Sequence, residues 1–481
     1  MEFERGRAAQ CQSSMAARFV NIDYDTPLIL PPNLRDWVPP DHLVHFILEA
    51  VAEMDLRQIK VNERGTGSEQ YPPRMLLALL LYCYATGVFS SRRIQQASSD
   101  SVPVRLICGN THPDHDTICT FRRENKALLQ ETFVRVLELA QALNFLQVGQ
   151  ITVAVDGTKV MANASKHSAA SYEHAGKTIE QLDLEVKELL VKAEQADSTP
   201  LQDGLSIPEE ITRRQERKAA LQKARAEIEA RARARYAVER AEHEKKLAEQ
   251  AAKKERGEGI RGRPLKAPTP EPSPDDQYNF TDPESRIMKA GSGQHFEQDY
   301  NAQAAVEVDS RLIVGERVSQ APNDKQELVP TVDAVAAPVE SIAAVLTDSG
   351  FYSEAAVRAV EQTPAGQPTG TTVYAAMEKK EHHRTVSDLE KKQEPVAPAP
   401  GSGLSEVMRH RLKTKVGKDK YKLRQQTVEP VFGIIKSVMG FRQFLLRGLE
   451  KVGLEWRLVC MAYNLKRLHI MNADQKLASP A

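Results

Sequence analysis

The chain has 481 residues, enough for roughly two to four domains, and 41% hydrophobic with 6% aromatic content excludes a collagen-like or wholly disordered protein. Basic and acidic side chains both number 65, so there is no global attraction to a polyanion; residues 401–470, with 15 basic against 5 acidic side chains, suit an anionic partner locally. The five cysteines, at 11, 83, 108, 119 and 460, contain no C-x-x-C pair, which excludes a disulfide framework or zinc pattern and fits a reducing cytoplasm.

The N-terminus lacks the apolar core of a secretory signal. The least polar stretch, Met75 to Phe89, is shorter than the ~20 residues that span a bilayer and reads as a buried helix, so no membrane partner is expected. Residues 25–40 are proline-rich and read as an extended arm, with Asp41 as N-cap of the helix HLVHFILEAVAEM. Pro72 and Pro73 open a second helix that stops near Gly87. Ser90 and Ser91 cap a short third, and HPDHD turns into a long helix from Thr117 to about Leu143. Arg92, Arg93, Arg122 and Arg123 occupy exposed-looking positions. A helix-turn-helix DNA reader is one reading of this region, and a helical bundle with solvated arginines is the other.

The pattern changes at Gln150. ITVAVDGTKV is β-branched, and its apolar run ends at Asp156, the first strand of a new domain. From Gly176 to Glu255 the composition is helical and charged, with Ile179, Leu182, Val186, Leu189 and Ala193 at 3,4 spacing. DSTPLQDGLSIP interrupts it, predicting a protruding antiparallel helical hairpin, then a Pro/Gly-rich linker over Gly257–Asp282. Beyond the linker, YNAQAAVEV and RLIVGERV flank Asp309 and Ser310 as a strand pair. KQELVPTVDAVAA is a helix, SIAAVLTD a strand ending at Asp348, and TTVYAAM a further strand after a helix from Ser353. This order is that of a mixed α/β sheet with helices on its faces.

Loops at strand ends expose functional groups. Asp156 and Asp348 qualify, and their separation of 192 positions is largely the insertion and linker. A third acid, Glu429, lies in the helix-like YKLRQQTVEPVFGIIK with Tyr421, Arg424 and Lys436, seven residues putting Glu429 and Lys436 on one helical face. Three converging carboxylates repel unless a divalent cation neutralises them. Two ions about 4 Å apart stabilise the attacking and leaving oxygens of in-line phosphoryl transfer. Taken singly, the ordinary reading is the stronger for each acid: Asp156 and Asp348 as turn formers ending strands, Glu429 as a surface ion pair.

The strings VAVDGTKV, AVLTDSGFYS and YKLRQQTVEPVFGIIK, in that order, resemble the three signature blocks of DDE transposases from bacterial insertion sequences. GSGQHFEQDYNAQAAVEVDSRLIVGERVSQAPNDKQEL resembles the hairpin and helix of that family's core. Residues 17–125, especially PPNLRDWVPPDHL and PDHDTICTFRREN, resemble its N-terminal DNA-binding domain. The resemblance implies a ribonuclease-H-like mixed sheet with helices on both faces, plus an all-α N-terminal domain and the helical-hairpin insertion. The implied limits are an arm at 1–40, a helical DNA-binding domain at 41–148, a catalytic domain at 149–175 and 282–470, the insertion at 176–255, a linker at 256–281 and a tail at 471–481. Asp156, Asp348 and Glu429 become the catalytic, metal-binding triad for Mg²⁺ or Mn²⁺, two ions in all. Tyr421, Arg424 and Lys436 match a Tyr-Arg-Glu-Lys signature that contacts transposon-end DNA, as Arg92, Arg93, Arg122 and Arg123 would through the N-terminal domain.

The implied reaction is hydrolysis at the element's end, leaving a 3′-OH that attacks target DNA. Its implied partners are double-stranded DNA and a second copy of the chain in a synaptic dimer, and its location is cytoplasmic, at the nucleoid. Two features depart from the family pattern. Four residues instead of three separate Arg424 from Glu429, and Pro430 disfavours helical geometry at Glu429. The competing classes are a DNA-binding protein derived from a transposase and no longer catalytic, and a structural coiled coil built on 176–255. His295, Glu297 and Asp299 read as polar loop residues before the hairpin, His382 and His383 as solvated loop, and Leu454, Leu458, Met461, Leu465 and Leu468 as a core stripe.

Overall fold

The computed structural model describes residues 33–55, 70–196, 206–255, 265–289, 295–377, 395–399 and 401–478. The proline-rich arm before residue 33, the 197–205 hairpin tip and His382 with His383 lie outside the described residues.

Among the described residues six α-helices lead to the sheet: α1 Leu43–Ala52, α2 Pro73–Ala85, α3 Ser91–Asp100, α4 Val102–Ile107, α5 His115–Glu124 and α6 Lys126–Ala142. α2 opens on Pro73 as expected, because a missing N–H costs nothing in the first turn. It is buried all round from Leu76 to Ala85. Its chain leaves through Gly87 at φ +84°, where a side chain would stand 2.8 Å from the Met439 carbonyl oxygen. Three local expectations change. His42, not Asp41, caps α1, its Nδ1 accepting from the Val44 N–H. Leu34–Trp37 of the arm is a short 3-10 turn. The long helix expected over 117–143 is two helices, broken at Asn125, whose side chain donates to the Phe121 carbonyl.

The sheet contains β1 Ile151–Met161, β4 Arg286–Lys289, β5 Phe296–Glu307, β6 Ile313–Ser319, β7 Ile342–Thr347 and β8 Thr372–Ala375. β1 is central, antiparallel to β5 and parallel to β7. β8 extends β7 in parallel, while β4 and β6 both lie antiparallel along β5. This is the mixed α/β sheet expected, with β4 an edge strand that sequence pattern did not reveal. β1 does not stop at Asp156 but runs five residues further, because β5 pairs with it as far as Met161. Glu297 and Asp299 accordingly sit within β5 rather than in a loop.

Helices α9 Leu328–Asp333, α10 Glu354–Glu361, α11 Leu404–Lys413, α12 Lys415–Gly433 and α13 Leu449–Ala478 complete the core. α12 packs on β1, β5, β7 and β8, and α9 on β1, β5 and β6. Alternation along β1 sends Asp156 toward α12 and Gly157 toward the α9 side, where Asp324 accepts from Asn301 and Gln303 at 2.7 Å. A side chain at Gly157 would collide with that polar group, meeting Gln303 Nε2 at 2.2 Å.

The insertion is α7 Tyr172–Ala196 and α8 Ile207–Glu255, packed on each other. Its root is a two-stranded ribbon, β2 Ala169–Ser171 against β3 Gln277–Asn279, so the end expected as linker is structured. Arg235 closes the root with a bidentate pair to Asp276 at 3.0 and 3.2 Å. Among the described residues no helix is long and apolar enough to cross a membrane.

The N-terminal helices are not a separate globule. α13 packs against α1, α2 and α6, and its stripe Leu454, Leu458, Met461, Leu465 and Leu468 is buried as the sequence predicts. Arg122, expected on the surface for DNA, is 3% exposed. Its Nη1 donates to the Tyr84 hydroxyl at 2.7 Å and lies 3.9 Å from Glu455 of α13. Glu455 also accepts the Leu445 and Leu446 N–H groups at 2.9 Å. Removing one partner of a buried charged pair strands the other. Arg122→Met is therefore expected to cost about 3 kcal/mol, whereas exposed Arg123→Ala changes stability by under about 0.5 kcal/mol; urea denaturation of both variants checks this.

Candidate active site

The three acids of the predicted triad come from three separate elements. Parallel pairing aligns Ala154 with Leu346, so two residues further along each chain Asp348, just past β7, lies abreast of Asp156 in mid-β1. Each aspartate is anchored through its own backbone. Asp156 Oδ1 accepts the Gly157 N–H and Asp348 Oδ1 the Gly350 N–H, both at 2.8 Å. Their outer oxygens turn to α12. Arg424 Nη2 stands 3.5 Å from Asp156 Oδ2 and 3.8 Å from Asp348 Oδ2, while Nη1 lies 3.3 Å from Glu429 Oε1. One guanidinium thus joins all three. The additional residue between Arg424 and Glu429 does not keep the arginine from the cluster.

α12 continues through Glu429 and Pro430, against the expectation that Glu429 would sit at a helix start or kink. The proline has no N–H for the Gln426 carbonyl, but Gln426, Glu429 and Pro430 are all on the exposed side, where a carbonyl without an intrahelical partner costs little. The opposite side, Thr427, Val428, Val431 and Phe432, is buried and holds the helix in place.

Lys436 departs from expectation. A π-helical turn, Ile434–Val438, follows α12, closed by the Met439 N–H on the Ile434 carbonyl at 2.9 Å. Wider winding takes Lys436 off the line of Glu429, and its Nζ donates to the Lys159 carbonyl of β1 at 2.7 Å. Lys436 therefore ties the π-turn to the outer half of β1. Tyr421 is half-buried, and its hydroxyl pKa is raised mainly by burial, opposed by Arg424 and reinforced by Asp348, Asp156 and Glu429. Arg92, Arg93 and Arg123 are exposed, and only Arg122 among the predicted DNA contacts of that region is buried.

Two features escaped the sequence reading. Lys415, Lys418 and Lys422 lie on one exposed line of α12, at three- and four-residue spacing, that runs on through Gln425 and Gln426 to Glu429, with Asp419 the one acid beside it. The spacing was visible, but not which side the sheet would cover. Asp299, read as a loop residue, is 1% exposed, and burial pushes its carboxyl up to about 6 against the opposing pull of Lys436.

Exposure rises outward across the cluster, with side chains 10% accessible for Arg424, 17% for Asp156, 39% for Asp348 and 55% for Glu429. The donor set, three carboxylates with hard oxygens, fits Mg²⁺ or Mn²⁺. The spacing fits a guanidinium: among the described residues no three His, Cys, Asp or Glu side chains stand close enough to share one ion.

Residues 380–469 match the family model for the transposase DDE domain, and residues 32–124 that of a transposase domain (DUF772). Both matches are to transposase domains and support one identification, a DDE-type transposase of an insertion sequence. The first match spans Tyr421, Arg424, Glu429 and Lys436 but neither aspartate. No curated protein and no solved structure matches the chain.

Burial, opposed by Arg424 and reinforced by Asp348, pushes the Asp156 carboxyl up to about 7. The unfolded chain releases that proton near 3.8, so the stability Asp156 contributes is full below that value and is lost as pH rises through about 7. Asp156→Asn keeps the shape without the charge. In chelator it is expected to raise stability by on the order of 2 kcal/mol at pH 8 and by almost nothing at pH 4; melting curves at both values check the sign.

Proposed function

We propose that the chain binds the terminal inverted repeats of its element, cleaves the phosphodiester at each end and joins the resulting 3′-OH to target DNA. The observation that carries this reading is the meeting of Asp156, Asp348 and Glu429, from β1, the end of β7 and α12, within 3.3–3.8 Å of one guanidinium. The topology supports a ribonuclease-H-like reading of the sheet, with β6, β5 and β1 antiparallel, β7 and β8 parallel, and an acid on the central strand.

A divalent ion held by the three acids would supply the Lewis acidity that in-line phosphodiester chemistry needs. The chain's own groups do the rest. Asp156 and Asp348, each tied to a neighbouring N–H, keep their outer oxygens aimed at one point. Glu429, the most exposed of the three, borders the approach, and the Lys415–Lys418–Lys422 line on the same helix offers a path for a phosphate backbone leading to it. Two ends must be brought together for transposition, which calls for a dimer, and the α7–α8 hairpin projects where it is suited to such contacts.

Asp348→Ala is expected to abolish metal-dependent nicking of an inverted-repeat duplex while leaving its binding intact; nicking at the wild-type rate by that variant would remove Asp348 from the site. Replacing both Lys418 and Lys422 by Ala is expected to weaken binding evenly across sequences and to lower the slope of log affinity against log salt by about 2. An unchanged slope would place the DNA elsewhere.

A further inference from the structure

We propose that Arg424 is the resident counter-cation of the three acids, exchanged for divalent metal as the site loads, so that loading turns its guanidinium toward a DNA phosphate. This rests on the reading of Asp156, Asp348 and Glu429 as metal ligands.

Three observations carry it. First, the guanidinium occupies the ground where the carboxylates would share an ion. The oxygens available to a metal, Asp156 Oδ2, Asp348 Oδ2 and Glu429 Oε1, are the same three that face it. The other oxygen of each aspartate is bound to backbone N–H. Second, the arginine is held loosely for a buried charge. Its contacts of 3.3, 3.5 and 3.8 Å exceed the roughly 2.7–2.9 Å of strong charge-assisted bonds, and its Nε is buried without a hydrogen-bond partner. Arg235, by comparison, grips Asp276 with both nitrogens at 3.0 and 3.2 Å. Third, the charges change sign. One guanidinium leaves three carboxylates short of neutrality, whereas two divalent ions over-neutralise them and repel a cation kept at that distance. The lysine line on the exposed face of α12 marks the side on which a phosphate would receive the released group.

Linkage then requires that metal and DNA each strengthen binding of the other. The test is Mn²⁺ binding to the full chain, followed by the electron paramagnetic resonance signal of free Mn²⁺, first without DNA. Arg424→Gln, checked for folding by circular dichroism, is expected to bind Mn²⁺ about tenfold or more tightly than wild type. Arg424→Lys, whose single ammonium does not bridge all three acids, is expected to bind more tightly by a smaller factor, and it decides the matter if the glutamine variant does not fold. Wild-type or weaker affinity in the variant that folds overturns the exchange while leaving the metal site standing. If wild type binds no Mn²⁺ that the paired Asp156→Asn and Asp348→Asn changes abolish, the metal site and the exchange fall together. With a duplex from the element's end present, Mn²⁺ affinity should rise for wild type and not for Arg424→Gln; an equal rise in both rejects the turn toward phosphate.

Discussion

Three carboxylates gathered around one guanidinium are the constraint on which the rest of this molecule depends. Like charges this close repel, and burial raises the cost of charging Asp156 further. Arg424 offsets both by contributing one positive charge that touches all three. Its position follows from the seating of α12 on β1, β5, β7 and β8. Any shift of that helix along the sheet would separate the acids from their counter-charge.

The seating of α12 is in turn fixed from behind. Beyond the π-turn, Phe441 meets Phe89 edge-to-face and Trp456 at a tilt, and Trp456 in turn packs tilted against Phe432 of α12 itself. Phe89 also meets Tyr84, the hydroxyl donor to Glu455 in the Arg122 pair. The N-terminal helices, α13 and the acid-bearing helix are thus joined through aromatic contacts and one buried charge pair. Gly87 makes the close approach possible, because a larger residue there would strike Met439. The N-terminal helices thus share one hydrophobic core with the sheet that carries the carboxylates.

Legibility varied with the range of the interaction. Pro73, Ser353 and the strand composition around Val153, Val306 and Val345 act within a few residues, and the expected elements formed there. Exposure was the weak point. Arg122 and Arg123 are neighbours with the same chemistry, yet one is buried in an ion pair and the other faces solvent, a difference set by Tyr84 and Glu455, 38 and 333 positions away. Pro430 misled for a related reason: a local rule about the residue before proline yielded to burial of Val428 and Val431 against the sheet. Lys436 was placed by counting helical residues, and a π-turn changed the count.

By itself the sequence singled out Asp156, Asp348 and Glu429 and the order of the elements that bear them, because strands, caps and ordered motifs depend on near neighbours. It also marked the basic character of the C-terminal region and the apolar stripe of α13. Only the tertiary structure decided that Asp156 lies inside its strand, that Asp348 stands beside it, and that Arg424 rather than Lys436 meets the acids. Those outcomes depend on strand register, helix seating and which face is covered, and such quantities exist only when distant segments pack together.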